Sequence, residues 1–373
     1  MVDSQTLWSR ATVSWWPYYD AEEKIRRMEA HHLRRGLLVQ LAGLGDLVMA
    51  LPAIDALLNH YPNTEWTLLT RPAQAKLLAD RDIHVVTMPW PPKLDIFLQQ
   101  ISTLRHLREQ HFDLALHLYS TGSKKGEWAI RTLFSVIHAG LSVGRVNGGQ
   151  SAFDVNWDEA KISSRHEVDL NLGLLSTLNI SASSAPPVVC VAADQSAQIN
   201  KRLVDVFPDN TSLAVIFAGG ARKTRYWPIE NYIEVIRYLR ALNMGVCIVG
   251  SSEQVEDAVQ MSKGDPLVVD FSGRLELPEL AALMKKSKIY IGNDSGPSHL
   301  AAAVGVPSVV LFGPGDLGRC CPRGMGSVRI ARFSVDCSPC YLEECSHHTC
   351  MRSLTVEAVK QQIDSTLTEL AIQ

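Results

Sequence analysis

The sequence predicts an α/β protein built from two doubly wound, Rossmann-like domains that face each other across a cleft. From residue 36 onward, short β-forming runs alternate with segments of helical periodicity, which is typical of a parallel sheet with helices on both faces. The alternation stops at residues 181–187 (SASSAPP), whose composition is that of a linker, and then starts again. A length of 373 residues suits two domains of ordinary size.

Four runs in the first half have the composition of buried strands, namely GLLVQLA, EWTLLT, IHVVTM and FDLALHLY. Between these strands, an apolar helix is predicted from Asp46 to about Tyr61 and an amphipathic helix from about Leu94 to Gln110. We therefore assign residues 36–180 to the first domain.

Five further runs predict the strands of the second domain, LAVIFAGG, GVCIVG, PLVVDFSG, KIYIGND and PSVVLFG. We assign residues 187–354 to this domain. Residues 355–373 are expected to form a last helix that crosses back to the first domain, as last helices in this fold class often do. Residues 295–315 carry no Asp, Glu, Lys or Arg, but three prolines interrupt them. A helix, a turn and a buried strand are therefore favoured over a membrane span.

The charge balance argues against a nucleic-acid partner. Lys and Arg number 36 against 39 Asp and Glu, which gives a net charge of −3. A hydrophobic fraction of 46% excludes an intrinsically disordered chain. The N-terminal residues contain no apolar run suited to a secretory signal, so we predict a soluble, cytoplasmic protein.

An N-terminal arm, residues 1–35, precedes the first strand and is rich in aromatic and basic side chains. These are Trp8, Trp15, Trp16, Tyr18, Tyr19, Lys24, Arg26, Arg27, Arg34 and Arg35. Such a composition suits an anionic membrane surface, which predicts peripheral contact with the inner face of the cytoplasmic membrane. The simpler interpretation is an arm packed against the protein's own second domain.

The first motif that carries chemistry is LAGLGDLVMALPAI, in which a strand runs into a glycine turn and a helix opens at Asp46. Gly45 would let a ligand come close to the backbone, and the Asp46 carboxylate would lie at the mouth of the cleft. The motif is neither a P-loop nor a dinucleotide fingerprint. Taken alone, Asp46 is more simply explained as a helix N-cap.

The second motif is IYIGNDSGPSHLAAAVGVPSVVLFGP, in which a buried strand ends at Asp294 and a helix opens at Gly296. Free N–H groups and the positive end of the helix dipole favour a phosphate at such a helix start. Ser295, Gly296 and Ser298 are small enough to let a diphosphate approach. His299 lies about one turn inside the helix, where it would donate to an oxyanion, and a packing role for this histidine is an equal alternative.

The third motif is FAGGARKTRYWPIENY, which places three cations beyond the end of a strand, Arg222, Lys223 and Arg225. Such cations can neutralise a leaving diphosphate, although a solvated basic loop is the simpler explanation of this segment taken alone. All three motifs lie at strand-to-helix junctions, where open α/β sheets bind their ligands. Together they predict one ligand site in the cleft.

On these motifs the chain resembles the bacterial heptosyltransferases of lipopolysaccharide core assembly, glycosyltransferase family nine, which have the GT-B fold. The resembling residues are L-x-x-L-G-D-L-x-x-x-L-P around Asp46 and R-Y-W-P around Trp227. The most specific is G-N-D-S-G-P-S-H-L-A-A-A-x-G-V-P-S-V-V-L-F-G-P, from Gly292 to Pro314. The resemblance covers roughly residues 36–360.

The resemblance implies that a heptose is transferred from ADP-heptose to a lipopolysaccharide core or related lipid-linked glycan, with inversion at the anomeric carbon. It implies that Asp46 is the catalytic base, that Arg225 contacts the donor phosphates and that Asp294 contacts the donor sugar. Family members more often have Lys where this chain has Arg225, and Lys223 is a candidate to share its role. The other residues of the expected donor site are Gly45, Ser295, Gly296, Ser298 and His299.

No catalytic metal is predicted, because no Asp-x-Asp pair lies near the motifs and a helix start with Arg225 can stabilise the diphosphate. On the acceptor side, Lys124 and Lys125 follow one strand and Arg145 follows another. They are candidates to bind acidic groups of the acceptor, with plain surface charge as the alternative. Transfer from another nucleotide sugar, and a nucleotide-sugar epimerase of the same fold, remain alternative functions.

Four cysteines share the spacing C-x2-C-x4-C-x4-C in a cysteine-rich loop, residues 320–350. They are Cys337, Cys340, Cys345 and Cys350. The spacing suits a tetrahedral structural zinc, or an iron, that would brace the loop before the last helix, with free thiols and disulfides as alternatives. Nucleic-acid binding through this cysteine-rich loop is disfavoured by the net charge and by the lack of stacking aromatics beyond Tyr341.

Overall fold

Two six-stranded parallel β-sheets organise the chain. The computed structural model describes residues 23–26, 33–91, 97–120, 123–148, 153–162, 166–220, 222–340 and 342–372. Every pair of neighbouring strands in the two sheets is parallel. The predicted α/β class with two doubly wound domains is confirmed.

The first sheet has the strand order β3-β2-β1-β4-β5-β6. Its strands are β1 (Arg35–Gln40), β2 (Glu65–Thr70), β3 (His84–Thr87), β4 (Leu114–His117), β5 (Leu141–Val146) and β6 (Val155–Asp158). The helices of this half are α1 (Leu44–His60), α2 (Phe97–Glu109), α3 (Lys124–Ile137) and α4 (Glu167–Leu174), with 3-10 helices at Pro72–Leu78, Glu159–Lys161 and Leu175–Leu178. The strand order reverses between β1 and β4, the point where such sheets bind ligands.

The second sheet has the order β12-β11-β10-β7-β8-β9, which is the same topology. Its strands are β7 (Leu213–Phe217), β8 (Gly245–Val249), β9 (Val268–Asp270), β10 (Ile289–Asn293), β11 (Ser308–Phe312) and β12 (Val328–Arg332). The helices are α5 (Ala193–Val204), α6 (Ile229–Ala241), α7 (Val255–Ser262), α8 (Leu277–Lys286), α9 (Gly296–Val304), α10 (Leu317–Cys320), α11 (Thr349–Arg352) and α12 (Val356–Ile372), with 3-10 helices at Lys223–Arg225 and Ser252–Gln254. Here the reversal lies between β7 and β10.

The apolar runs become strands because helices cover both faces of each sheet. In β1, Leu37 and Val39 face one apolar cluster and Leu38 faces another, and all three are fully buried. Helix α1 is apolar around most of its circumference, because it is packed between the first sheet and α9 of the second domain. One apolar cluster therefore runs through both domains and brings the starts of α1 and α9 together.

The ends of the chain differ from expectation. Helix α12 packs against α6, β11 and β12 of the second sheet, so the prediction that it crosses back to the first domain is wrong. Its apolar side chains Val359 and Ile363 are fully buried in the core of the second domain, which explains why the helix stays there. In the N-terminal arm, Lys24 pairs with Asp154 of the first domain at 2.6 Å. That contact places Lys24 beside the first domain, whereas the aromatic residues of the arm lie outside the described residues, and packing of the arm on the second domain stays a prediction.

Three strands were not among the runs that the sequence analysis identified. They are β5, which is internal to the first sheet, and the edge strands β6 and β12, and Arg145 lies inside β5 rather than after a strand. The uncharged stretch 295–315 forms α9, a turn and β11, as predicted. Within the described residues, no helix is long and apolar enough to span a membrane. Residues 180–192 have no regular secondary structure, in keeping with the linker composition of 181–187.

Candidate active site

Asp46 lies in the first turn of α1, directly after the switch-point strand β1. The helix begins at Leu44, two residues earlier than predicted, and the Gly43 N–H donates to Asp46 Oδ2 at 2.8 Å. The N-cap is therefore Gly43, and the interpretation of Asp46 as the N-cap is wrong, because Asp46 is the third helical residue and its carboxylate accepts the N–H of the N-cap. Burial raises the pKa of Asp46 from 3.8 to about 6, and the nearby Glu167 carboxylate raises it further, against the lowering effect of the Gly43 hydrogen bond. A half-buried carboxylate with this pKa is ionised at neutral pH and can accept a proton.

The starts of α1 and α9 touch across the cleft. A Cβ on Gly45 would lie 2.7 Å from His299 Cδ2, and a Cβ on Gly296 would lie 2.8 Å from Leu44 Cβ. Glycine is required at both positions because any side chain would push the two domains apart. The space that Gly45 was expected to leave for a ligand is taken by the His299 ring in this structure.

Helix α9 starts at the end of β10, with Ser295 as the N-cap and Gly296 as the first helical residue. The Ser298 hydroxyl is fully buried and donates to the Asn293 carbonyl at 2.6 Å. It also lies 3.1 Å from the Tyr290 hydroxyl. The Ser298 side chain therefore stabilises the strand-to-helix turn, and its place in the donor site stays a prediction.

His299 is a buried, neutral histidine. Burial lowers its pKa to about 3, and the neighbouring His166 and Arg225 act in the same direction. Its Nδ1 has no hydrogen-bond partner in the part of the chain that the structure describes. The ring packs against Gly45, which agrees with the packing alternative, and its role toward an oxyanion stays a prediction.

Arg225 and Asp294 form an ion pair at the switch point of the second sheet. Arg225 Nη1 donates to the Asp294 carbonyl at 2.9 Å and lies 3.2 Å from Asp294 Oδ2. Asp294 is only 1% exposed, and burial raises its pKa to about 6 against the opposing effect of Arg225. Gly315 packs directly on this carboxylate, because a Cβ there would overlap Oδ2. The pair anchors a guanidinium at the edge of the cleft.

The short turn that carries Arg225 is held by the cysteine-rich loop. Thr224 Oγ1 donates to the Leu342 carbonyl at 3.0 Å, and His348 Nε2 donates to the Thr224 carbonyl at 2.6 Å. Arg222 pairs with Glu343 of the same loop at 3.4 Å. Of the three cations of the third motif, Lys223 is the one with an exposed side chain.

A cleft of about 710 Å³ opens beside the start of α9. Ser295 and Pro297 line it together with Gly220, Gly250 and other residues that follow the strands of the second sheet. Among the lining residues that the sequence analysis missed are Phe217, Ser251, Gln254, Phe271 and Leu275 of the second domain. Each follows or ends a β-strand at the ligand-binding edge, which is the only signal that could have indicated them.

Two other residues that the sequence analysis missed also stabilise the site. Asn293 is fully buried and donates to the carbonyls of Ala218 and Gly219, at 2.8 and 3.0 Å, which fixes the glycine turn before Arg225. Lys76 of the first domain pairs with Glu276 of the second at 2.6 Å at the rim of the cleft. This ion pair bridges the two domains beside the cavity.

The candidate acceptor residues separate into two groups. Lys124 and Lys125 are exposed on the first turn of α3. Arg145 has no exposed side-chain surface and is bonded to Glu159 and Glu167 inside the first domain. The prediction that Arg145 binds the acceptor is therefore wrong, because a guanidinium saturated by two buried carboxylates cannot reach a ligand.

The four cysteines of the predicted metal site face one small cavity. All four are free thiols, and a cavity of about 50 Å³ is lined by Cys337, Cys340, Cys345, His347, His348 and Cys350. Burial raises the pKa of the Cys350 thiol, and the three other cysteines add to the effect. Across the described residues, however, no three Cys, His, Asp or Glu side chains are grouped closely enough to hold a metal ion.

The comparisons with known proteins can now be set beside this geometry. The family model described as glycosyltransferase family 9 (heptosyltransferase) matches residues 101–350, well over half of the chain. The chain belongs to this family. It is therefore a glycosyltransferase, and the resemblance found in its motifs is confirmed.

Some of the relatives are distant in sequence but match this chain over most of their length. Lipopolysaccharide heptosyltransferase 3 of Escherichia coli (strain K12) is 22% identical over 73% of this chain and 80% of its own. The structure of E. coli ADP-heptose lps heptosyltransferase II has a TM-score of 0.72 at 17% identity, over 90% of this chain and 99% of that one. The iron-containing dodecameric glycosyltransferase TibC from enterotoxigenic E. coli H10407 has a TM-score of 0.57 at 16% identity, over 91% and 77%. These two structures show that the glycosyltransferase shares their fold.

Proposed function

We propose that this family 9 glycosyltransferase transfers a heptose from ADP-heptose to a lipopolysaccharide core or related lipid-linked glycan, with inversion at the anomeric carbon. One observation carries the proposal. The carboxylate of Asp46 at the start of α1 lies across the cleft from the start of α9, with the Arg225 guanidinium anchored beside it. A base and a cationic anion site on opposite domains are what an inverting transfer requires. The names of the relatives indicate the donor and the acceptor class.

In this proposal Asp46 accepts the proton of the acceptor hydroxyl as its oxygen attacks the anomeric carbon. The new glycosidic C–O bond forms on the face opposite to the bond that breaks, and the electron pair of the broken bond leaves with the diphosphate. With a pKa of about 6, Asp46 is mostly ionised at pH 7 and is still basic enough to accept the proton. Burial is therefore what adapts an ordinary aspartate to this task.

Arg225, Lys223 and the start of α9 would stabilise the negative charge that grows on the leaving diphosphate. Arg225 Nη1 is engaged by Asp294, which orients the guanidinium plane toward the cleft edge. A fixed guanidinium and a helix dipole can supply this stabilisation by themselves, so we propose that catalysis requires no divalent metal. The nucleoside would occupy the 710 Å³ cleft between Ser295 and Gly250.

The acceptor would approach from the first domain, where Lys124 and Lys125 are exposed at the start of α3. Trp128 follows them on the same helix and is 69% exposed. Exposed lysines next to a tryptophan are typical of surfaces that contact anionic membranes, and a lipid-linked acceptor lies in such a membrane. We propose peripheral contact with the inner face of the cytoplasmic membrane through this helix start.

The cysteine cluster carries a separate proposal, a structural zinc or iron held by Cys337, Cys340, Cys345 and Cys350. The four thiols face one cavity, and the loop that carries them is bonded to the turn of Arg225. In the described arrangement the thiols are too far apart to share an ion. Binding would therefore have to draw the loop together, and metal analysis of protein purified without chelator tests this directly.

The decisive experiment measures donor binding and transfer in the wild type and in Asp46→Asn, with and without EDTA. We expect ADP-heptose to bind both proteins equally, and transfer to fall by at least about 100-fold only in Asp46→Asn, since general base catalysis contributes about 10²–10⁴-fold. Asp55→Asn, on the same helix but paired with Arg81 at 2.7 Å, is the matched control and should retain transfer.

Each alternative function gives a different result. Binding of another nucleotide sugar in place of ADP-heptose would keep the mechanism and change the donor. Conversion of the donor without any acceptor would favour a nucleotide-sugar epimerase. Full activity of Asp46→Asn would contradict the assignment of the base, and loss of activity in EDTA that Mg²⁺ restores would contradict metal independence.

A further inference from the structure

A network of four charges, three of them buried and the fourth, Arg319, partly exposed, joins the two domains close to Asp46. Each of two carboxylates in the first domain, Glu159 and Glu167, is shared between two arginines. Their Oε2 atoms contact Arg145, at 2.5 and 2.7 Å, and their Oε1 atoms contact Arg319, at 3.1 and 2.5 Å. Two carboxylates and two guanidiniums leave the network electrically neutral, which is the condition for burying such charges at low cost.

Three of these four residues belong to the first domain and one to the second. Arg145 lies on β5, Glu159 begins a 3-10 helix and Glu167 is the first residue of α4. Arg319 is part of α10, a single turn whose N-cap Asp316 accepts a hydrogen bond from the Arg319 N–H at 3.2 Å. The Arg319 side chain therefore reaches out of the second domain into a carboxylate pair of the first.

The network has an electrostatic connection to the proposed base. Among the charged and titratable groups that face Asp46, Glu167 raises its pKa and Arg145 lowers it. The remaining groups near this carboxylate come from other elements, namely Arg71 before the first 3-10 helix, Tyr119 after β4, Cys320 on α10 and the neutral His299 ring packed on the adjacent Gly45. Of the acidic partners of Arg319, Glu167 is thus the one whose charge reaches Asp46.

We propose that Arg319 is a positioning residue of the transfer reaction, which holds the second domain against the first and neutralises the carboxylate pair behind Asp46. The inference rests on the proposed role of Asp46 as the base. Without Arg319, Arg145 alone would balance two carboxylates, and Glu167 would repel the ionised form of Asp46 more strongly. Domain contact and protonation state of the base would then be controlled by the same guanidinium.

The test compares Arg319→Gln with the wild type in a pH profile of kcat/KM. Because Arg319 contacts Glu167 and not Asp46 itself, its loss should move the acid limb upward from about pH 6 by less than a direct contact would. A shift of about half a unit lowers activity about two-fold at pH 6 and leaves it nearly unchanged at pH 8. Arg319→Lys keeps the charge and should return the acid limb toward the wild-type position, and it also serves if the Gln variant does not fold.

The matched control is Arg323→Gln. Arg323 follows α10 in the second domain and pairs with Asp169 on α4 of the first, so the variant removes another ion pair between the two domains. Arg323 contacts Asp169 at 2.9 Å and has no ion pair with Glu159 or Glu167. Its replacement should change substrate affinity at every pH by a similar factor and leave the acid limb in place. Equal profiles for Arg319→Gln and Arg323→Gln would overturn the proposal, because Arg319 would then be a domain contact only.

A measurement without substrate separates this inference from the proposed function. The difference in unfolding free energy between the protein with Asp46 and its Asp46→Asn variant, followed against pH, reports the titration of Asp46 itself. Its midpoint should be higher in the Arg319→Gln background than in the wild-type background. An unchanged midpoint would refute the role of Arg319 even if Asp46 is the base. Full transfer activity of Asp46→Asn would refute the assignment of Asp46 as the base, but the titration of Asp46 would still show whether Arg319 controls its pKa.

Discussion

Asp46→Asn should make the protein more stable while it lowers transfer by at least about 100-fold. The pKa of Asp46 is raised in the folded protein, so the folded state binds a proton that the unfolded chain has already lost. The stabilising effect of that proton is complete below pH 3.8 and is lost as the pH rises through about 6. Asparagine has no charge to bury, and its side-chain oxygen can still accept the Gly43 hydrogen bond.

The size of the effect follows from the pKa. A rise from 3.8 to about 6 at about 1.4 kcal/mol per unit sets an upper limit of about 3 kcal/mol above pH 7. Because the carboxylate is only half-buried and keeps some contact with water, we expect about 1–2 kcal/mol. For domains of this size, that corresponds to a rise in Tm of about 2–8 °C.

Thermal unfolding of the two proteins from pH 4 to pH 8 measures this difference. The two curves should converge near pH 4 and separate as the pH rises through 6. Asp55→Asn is a control that should lower stability instead of raising it. It breaks the ion pair in which the two carboxylate oxygens of Asp55 accept from the Arg81 guanidinium at 2.7 and 3.1 Å. An Asp46→Asn variant that is no more stable than the wild type at pH 8, or a difference that does not depend on pH, would refute the reasoning.

Four further outcomes are expected. Arg225→Ala should weaken ADP binding by about 10–100-fold in calorimetry, because a charge-assisted contact of about 1.5–3 kcal/mol is lost, and Arg225→Lys should lose less; equal affinity in all three would remove Arg225 from the donor site. Arg145→Ala should cost about 3–5 kcal/mol in denaturant unfolding, and a loss under about 1 kcal/mol would contradict its buried pairing. Gly45→Val should lower Tm by displacing His299, and unchanged Tm would show that the helix starts can separate freely. Lys76→Ala should change stability by less than about 1 kcal/mol, since both partners of its ion pair are exposed; a larger loss would mean that the rim contact holds the domains together.

The fold was predictable because most of its buried strands are continuous apolar runs in the sequence. Strands β2, β7 and β10 were found almost residue for residue, since helices cover both faces and demand continuous apolar runs. Strands β6 and β12 were missed because their residues are mixed in polarity and mostly half-buried, whereas the other two edge strands, β3 and β9, lie in apolar runs. A short strand of mixed polarity has no local pattern that distinguishes it from a loop.

The site was predictable only where a motif follows a strand directly. Asp46, Arg225 and Gly296 were placed correctly at the switch points, because strand order at these junctions is a property of the fold class. The buried role of Arg145 was not predictable, since its partners Glu159 and Glu167 come from elements that no sequence periodicity brings together. Side-chain pairing across a domain interface depends on tertiary packing, which one sequence does not display.

The start of α9 also offers fewer donors to a diphosphate than its sequence suggests. Pro297 has no N–H, and the Ser298 N–H donates to the Ser295 carbonyl at 3.0 Å. Among residues 296–298, the Gly296 N–H is therefore the one left for an anion. The position of a Cβ on Gly296 is blocked by Leu44 of the other domain. An anion bound here must lie on the side of Ser295, toward the cleft and Arg225. In the proposed mechanism the Arg225 guanidinium, rather than the helix dipole, would then carry most of the stabilisation of the leaving group, and its anchoring by the buried Asp294 would matter for that reason.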